Sequence, residues 1–317
     1  MVNPELALGE LRPLMFSVAY RMLGSVTEAE DVVQEACLRM HAGAPGVLRS
    51  PEAYAVTVTA RLAIDALRSA RRRRERYIGP WLPDPLAGPD QADPAWRFEM
   101  DETVSVAFLV LLEKLTPVER AVFLLREVFG YPYADVADVA GKSEAACRQA
   151  LHRARQHLRD SRSRFVVPAA ERDRLAGRFF AAVRDGDLAG LEAMLSDDVV
   201  FYGDGGGQAP AVREPVRGPA RVARFVLGLA RQARRLGIQL EPIQVNGQPG
   251  ARALAPDGTI QAVLSVDISD SRVGAIYNQI NPGKLSHLAA RRPRTSSPAT
   301  PADQVTGGRG EGRKKAE

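Results

Sequence analysis

The sequence predicts a multidomain protein in which two all-α modules precede an α+β domain. Three observations carry this reading. Apolar residues recur at helical spacing through residues 5–76 and again through 101–164. Residues 77–100 hold Pro80, Pro83, Pro85, Pro89 and Pro94, which no single helix tolerates. Over 170–286, amphipathic helical segments come first and alternating strands follow, the order of an α+β domain. The 317-residue length agrees, at about 150 residues per domain.

In the first module, Leu11, Leu14, Met15, Val18, Met22 and Leu23 share one helical face, and Gly24 ends that helix. Thr27-Glu28-Ala29-Glu30 reads as a capping box for the next helix. Val32, Val33, Ala36, Cys37 and Met40 form its inner face; Asp31, Gln34, Glu35, Leu38 and Arg39 point outward. An exposed leucine beside two acids is a candidate docking patch, although single exposed leucines are common. Ser50-Pro51 starts a third helix, with Tyr54, Val58, Leu62 and Ala66 expected on its buried face.

In the second module, Leu109, Leu112 and Leu115 belong to a short helix. Thr116-Pro117-Val118-Glu119 is a strong helix start, and Gly130 a stop. Tyr133 to Ala140, a Gly141 break and a Ser143-capped helix from Glu144 to about Arg159 make a helix-turn-helix pattern. Ala146, Ala150, Leu151, Ala154 and Leu158 are expected inside. Glu144, Arg148, Gln149, His152 and Arg153 are expected outside, where Arg and Gln can pair with base edges. Arg155, Arg159 and Arg162 suit phosphate.

Net charge is only +5, but its placement is uneven. Arg61, Arg68, Arg71, Arg72, Arg73, Arg74 and Arg76 crowd the end of the first module; Arg148 to Arg164 crowd the end of the second. The linker between them is acidic, with Asp84, Asp90, Asp93, Glu99, Asp101 and Glu102. Two basic helix ends suggest two contacts with one polyanion. Helix dipoles account for two or three arginines at a helix end, not for Arg71 to Arg74 in a row.

In the third domain, Leu175, Phe179, Phe180 and Val183 mark one helix, Asp187 caps a second, and Val222, Phe225, Val226 and Leu229 define another. Strands are expected at 199–202, 238–245, 251–255, 260–268 and 274–280. Asp204-Gly205-Gly206-Gly207 is a tight turn and Asp257-Gly258 a hairpin signal. From about Arg291 the composition is that of a disordered tail, placed at 287–317.

Other classes are excluded. No apolar run exceeds Val106 to Leu112, far short of a bilayer span, and no secretory leader is visible, so a cytoplasmic protein is expected. Cys37 and Cys147 suggest packing, not a disulfide scaffold. His41, His152, His157 and His287 have no ligand spacing; no metal and no cofactor are expected.

The strings Ala19-Tyr20-Arg21-Met22-Leu23-Gly24-Ser25, Glu30 to Ala36 and Ala60 to Ser69 resemble region 2 of extracytoplasmic-function (ECF) sigma factors. Thr116 to Glu127, Ser143 to Gln149 and His152 to Arg155 resemble region 4. The resemblance implies bacterial core RNA polymerase (clamp and flap) and promoter DNA as partners, and no membrane. It implies a clamp-binding face of Asp31, Gln34, Glu35 and Leu38, and −35 readout by Arg148, Gln149, His152, Arg153 and Arg155. It places −10 contacts on the loop before Ser50 and on the following helix, where Arg61, Asp65, Arg68, Arg71, Arg72 and Arg73 are the candidates. The loop His41 to Arg49 has no aromatic residue for base stacking.

The third domain resembles the SnoaL-like domain, a cone-shaped fold of the nuclear-transport-factor-2-like superfamily. Trp81-Leu82-Pro83-Asp84-Pro85, Asp204 to Gly207 and Asn281-Pro282-Gly283-Lys284-Leu285 match the ECF subgroup that carries this extension. That resemblance implies regulation in cis. Gly283 stands where the subgroup has an acid, and Gln208 where it has a lysine. The two motifs are expected on the face toward the linker, with glycines admitting Trp81; a stiff proline spacer and a plain turn are the alternatives. A small-molecule-sensing regulator, or a SnoaL-like enzyme fused to a DNA-binding region, is the competing function. A ligand of the third domain stays open, but no paired acid/base group is visible for an enzyme.

Overall fold

In the computed structural model, residues 4–42, 50–87, 102–162 and 167–289 are described. The loop residues 43–49, most of the acidic linker, Arg164 and the tail beyond Ala289 lie outside them.

The first module is three helices, α1 (Pro4–Leu23), α2 (Val26–Ala42) and α3 (Pro51–Arg74). Gly24, at φ +64°, ends α1. The capping expectation for α2 needs correction: α2 starts at Val26, before Thr27, and its first free N–H donates to the Asp84 carboxylate at 2.8 Å. A residue of the linker therefore caps α2, which local sequence cannot reveal. Ser50 caps α3 as expected, accepting from the Ala53 N–H at 3.2 Å.

The second module holds α4 (Val106–Leu112), α5 (Pro117–Phe123), α6 (Tyr133–Ala140) and α7 (Glu144–Arg162), with a π-helical turn at Leu124–Val128. Thr116 and Glu119 form a complete capping box. Gly141, at φ +61°, makes the turn between α6 and α7. On α7 the buried set is Cys147, Ala150, Leu151, Ala154 and Leu158; Ala146, expected inside, is exposed.

These two modules share one hydrophobic core. Met15, Val33 and Ile64 of the first belong to the same cluster as Leu109, Phe123 and Leu151 of the second. That explains a second correction. The buried face of α3 is Ala55, Val56, Thr59, Ala60, Ala63, Ile64, Leu67 and Ala70, while Tyr54, Val58, Leu62 and Ala66 are half-buried flanks. The helix is clasped by α1 and α2 on one side and by α5 and α6 on another, and its alanines permit close approach.

The third domain runs α8 (Ala169–Asp185), α9 (Leu188–Met194), β1 (Leu195–Asp204), β2 (Val216–Arg217), α10 (Pro219–Arg235), β3 (Gln239–Val245), β4 (Gln248–Leu254), β5 (Ile260–Ser269), β6 (Arg272–Gln279) and α11 (Pro282–Ala289). Helix α11 continues past the expected boundary at 286. The sheet order is β2-β1-β6-β5-β4-β3, antiparallel except for β1 with β6. Side chains alternate across each strand. Phe201, Val266 and Ile276 face helices α8 and α10. Val263, Ala275 and Tyr277 face the other way and pack on Leu82 of the linker and on Val106 and Ala107 of α4.

Candidate regulatory and nucleic-acid interfaces

The linker from Tyr77 to Ala87 threads between the sheet and the first module, so the stiff-spacer alternative does not describe it. Its fixing point is Asp204, at the end of β1 and fully buried. One carboxylate oxygen accepts from Tyr77 Oη at 2.6 Å; the other accepts from the Leu82 N–H at 2.8 Å, Lys284 Nζ at 2.9 Å and Gln279 Nε2 at 3.2 Å. Asn281 caps α11 through the Gly283 N–H at 3.0 Å and donates to Tyr77 Oη at 2.7 Å. The opening of α11 thus positions Lys284, which also donates to the Leu82 carbonyl.

Burial holds the Lys284 amine below the usual lysine range, opposed by the Asp204 and Asp84 carboxylates. Burial and the Asp204 carboxylate push the Tyr77 hydroxyl up, so it remains a donor to Asp204.

Trp81 lies between two cations. Arg74 sits 3.6 Å and Lys284 4.1 Å from its ring centroid. The glycine that admits Trp81 is Gly24, where a Cβ would stand 2.8 Å from the indole; this corrects the expectation that Gly205 to Gly207 does so. Gly206 admits Asn281 and Tyr77 instead, and Gly207 admits Ile78. Leu82 and Leu285 are buried in one cluster. Pro83 and Pro85 offer carbonyls to Gln279 Nε2 at 3.4 Å and to His287 Nε2 at 2.9 Å. Asp84 takes the Ser25 hydroxyl at 3.0 Å as well as the Val26 N–H, and burial pushes its carboxyl up against Lys284 and those donors. Gly283 and Gln208 are exposed, so the two missing charges lie outside this buried network.

A second fixing point was not legible in the sequence. Asn246, fully buried in the β3–β4 turn at φ +52°, donates 2.8 Å bonds to Tyr20 Oη and to the Val104 carbonyl. Its Oδ1 accepts from the Leu86 N–H at 2.9 Å. One side chain therefore joins both helical modules, the linker and the third domain. The Asn246-Gly247 dipeptide signals a hairpin turn and nothing about those partners.

The expected polymerase face, Asp31, Gln34, Glu35 and Leu38, is exposed on α2, with Leu38 at 59%. The expected −35 residues Arg148, Gln149, His152, Arg153 and Arg155 are all exposed on α7. Arg153 pairs with Glu119 and Arg155 with Glu127, each at 2.7 Å; Arg148 pairs with Glu144 at 2.6 Å. The −10 candidates are different. Arg61 donates to the Asp138 carbonyl at 2.8 Å and Arg71 to the Leu115 carbonyl at 3.1 Å, both in the second module. Asp65 pairs with Arg68 at 2.7 Å, Arg73 pairs with Glu28, and Arg72 is exposed. Arg74 reaches Glu113 at 2.6 Å, and Glu113 also pairs with the buried Arg120. Burial would raise the Glu113 carboxyl, but Arg120 and Arg74 hold it below the usual range.

Comparison with known proteins gives this architecture a family. Residues 8–73 match sigma-70 region 2, residues 105–158 match sigma-70 region 4, and residues 176–267 match the SnoaL-like domain. The ECF RNA polymerase sigma factor SigJ of Mycobacterium tuberculosis is 38% identical over 304 residues, covering 89% of this chain and 94% of SigJ. This chain is an ECF sigma factor.

The probable ECF sigma factor SigI of the same organism is 34% identical over 282 residues, covering 88% and 93% of the two chains. The crystal structure of SigJ superposes with a TM-score of 0.72 at 36% identity, over 89% of this chain and 98% of that one. These relatives are sigma factors and not enzymes, although the SnoaL-like fold also occurs in enzymes. Among the described residues no helix of this sigma factor is long and apolar enough to cross a membrane, and no group of side chains is arranged to hold a metal ion.

Proposed function

We propose that this sigma factor directs core RNA polymerase to its promoters and is held in a closed state by its own C-terminal domain. The observation that carries the reading is the shared core of regions 2 and 4, with Arg61 and Arg71 of the −10 helix bonded to region 4. The −35 and −10 elements are about 25 base pairs apart, or about 85 Å at ~3.4 Å per step. A compact module of this size is about 35 Å across. Regions 2 and 4 packed together cannot reach both elements, so initiation requires them to separate.

The Asp204 and Asn246 contacts oppose that separation by fixing the linker to the sheet. The α2 face remains open in the closed state, so polymerase docks first through Asp31, Gln34, Glu35 and Leu38. Opening then frees Arg61, Arg68, Arg71, Arg72 and Arg73 for the −10 strand, while Arg148, Gln149, His152, Arg153 and Arg155 exchange their acidic partners for DNA. Electrostatic contacts at these arginines favour phosphate, which recruits them by releasing counterions.

Reconstituted transcription with core polymerase tests this. Asp204→Asn is expected to raise open-complex formation at limiting polymerase. Glu35→Arg is expected to abolish polymerase binding without unfolding the chain. An Asp204→Asn protein with unchanged open-complex yield contradicts regulation by the closed state.

A further inference from the structure

The outer face of α10 is a strip of positive charge. Between Arg213 and Arg235 stand seven arginines against one acid, Glu214. The third domain as a whole is nearly balanced, with fourteen basic and thirteen acidic residues over 167–289. Arg221, Arg224, Arg231 and Arg235 are exposed and fall within an arc of about 80°, turned away from buried Val222, Val226 and Ala230. The strip is about 21 Å long at ~1.5 Å per residue. Among the described residues none of these four arginines pairs with a carboxylate, whereas Arg184 and Arg252 of the same domain pair with Asp185 and Glu241.

An ordinary solvated helix face sets acids three or four residues from its arginines. Helix α10 has no acid at all, and Arg231 and Arg235 repel each other one turn apart. A preference for arginine over lysine across the whole chain does not remove the acids from one helix. Gly228 lies on the same strip, between Arg224 and Arg231. A Cβ there would meet nothing within 4 Å, so packing does not require the glycine. Glycine weakens the helix at that point, but it leaves the backbone bare where a partner crosses the strip.

We propose that the outer face of α10 binds the phosphate backbone of duplex DNA, immediately upstream of the sequence that α7 reads. A duplex carries about one negative charge per 1.7 Å, or about twelve along the strip. Contacts of this kind position the protein and carry no sequence information. The chain connection favours DNA as the occupant. Helix α7 ends at Arg162 and α8 begins at Ala169, so seven peptide links, at most about 25 Å, hold the third domain to the −35 helix. With α7 on its site, α10 is confined beside the same duplex at high local concentration. The linker and region 2 extend downstream, which leaves the upstream side. That position rests on the DNA-binding reading of α7 above; the duplex contact itself does not. A second copy of the chain is a poor occupant, because the strip repels itself.

The test is fluorescence anisotropy of the full chain on a duplex of arbitrary sequence, with salt varied. Arg224→Gln/Arg231→Gln removes two contacts. The slope of log affinity against log salt should then fall by about 1.8, and the weakening between about 50 and 200 mM salt should shrink about twelvefold. Arg252→Gln/Arg272→Gln makes the same charge change on strands β4 and β6 and should keep the wild-type slope. Gly228→Leu keeps every charge and should weaken duplex binding about eightfold at ~0.1 M salt, the worth of one phosphate contact held off. Circular dichroism checks that each variant is folded. Equal slopes in the two arginine pairs, or a difference seen only with single-stranded RNA, overturns the duplex site. With core polymerase, Arg224→Gln/Arg231→Gln should lose affinity on a promoter fragment extended about ten base pairs upstream of the −35 element, and keep it on one that ends there. Equal loss on both fragments overturns the upstream position. A wild-type holoenzyme indifferent to the −35 element contradicts the reading of α7, and the free-chain result stands apart from it.

Discussion

Replacing Asp204 with asparagine removes the charge at the centre of the linker contacts. Four groups donate to this carboxylate, and two of them, Tyr77 Oη and the Leu82 N–H, belong to the linker. Hydrogen bonds to a charged group are worth about 1.5–3 kcal/mol each. Asparagine keeps one acceptor and turns the other position into a donor facing donors. Losing one linker bond of about 2 kcal/mol and weakening the other gives roughly 3 kcal/mol, or about 150-fold in the docking equilibrium. Lys284 is also left buried without its partner, which costs the domain about 3–5 kcal/mol. Hydrogen exchange at the Leu82 amide reads the docking directly. Its protection should fall about a hundredfold in Asp204→Asn, while the amides of β4–β5 keep theirs. Unchanged Leu82 protection would refute the assignment of Asp204 as the fixing point.

Other perturbations separate the remaining contacts. Gly24→Ala forces a Cβ into positive φ and against Trp81, and should lower stability by about 1–3 kcal/mol in denaturant unfolding. Trp81→Ala removes a ring flanked by Arg74 and Lys284, and should destabilise the linker contact by about 1–3 kcal/mol by the same measure. Because the Glu113 carboxyl is depressed by Arg120 and Arg74, its contribution is full above the ordinary glutamate value of about 4.3 and is lost as pH falls through its lowered value. Wild type should therefore lose more stability than Glu113→Gln on acidification through that window; parallel pH profiles would contradict it. Asn246→Ala should expose the Tyr20 and Leu86 bonds together, at about 2–4 kcal/mol, and Tyr20→Phe should recover only part of that loss in a double-mutant cycle.

Local signals in the sequence located most elements. The Thr116–Glu119 capping box, Ser50-Pro51, the Gly141 turn and the Asp257-Gly258 hairpin each act within a few residues, so spacing alone reveals them. The three linker and third-domain motifs were legible through family resemblance, and they meet at Asp204 and Trp81. What stayed hidden depends on partners far along the chain. Asp84 caps a helix that begins 58 residues earlier in sequence, and Asn246 bonds a tyrosine 226 residues away. The buried face of α3 departs from the one its apolar spacing suggests because neighbours clasp it on two sides, so no single apolar stripe records its environment. Cys147 replaces Ala146 in the α7 core for a simpler reason: the apolar arc of that helix is narrow and a one-residue shift moves a side chain by about 100°.

Single-molecule energy transfer reports whether regions 2 and 4, packed together in the free factor, separate on the promoter. Dyes at Ser69→Cys on α3 and Gln156→Cys on α7, in a Cys37→Ser, Cys147→Ala background, report the separation of two exposed sites. One population below about 40 Å is expected for the free chain, the span of a compact module. With core polymerase and promoter DNA the separation should rise beyond about 60 Å, toward the ~85 Å between the two elements. A separation that stays short in a transcribing complex, or is already long in the free chain, would contradict it.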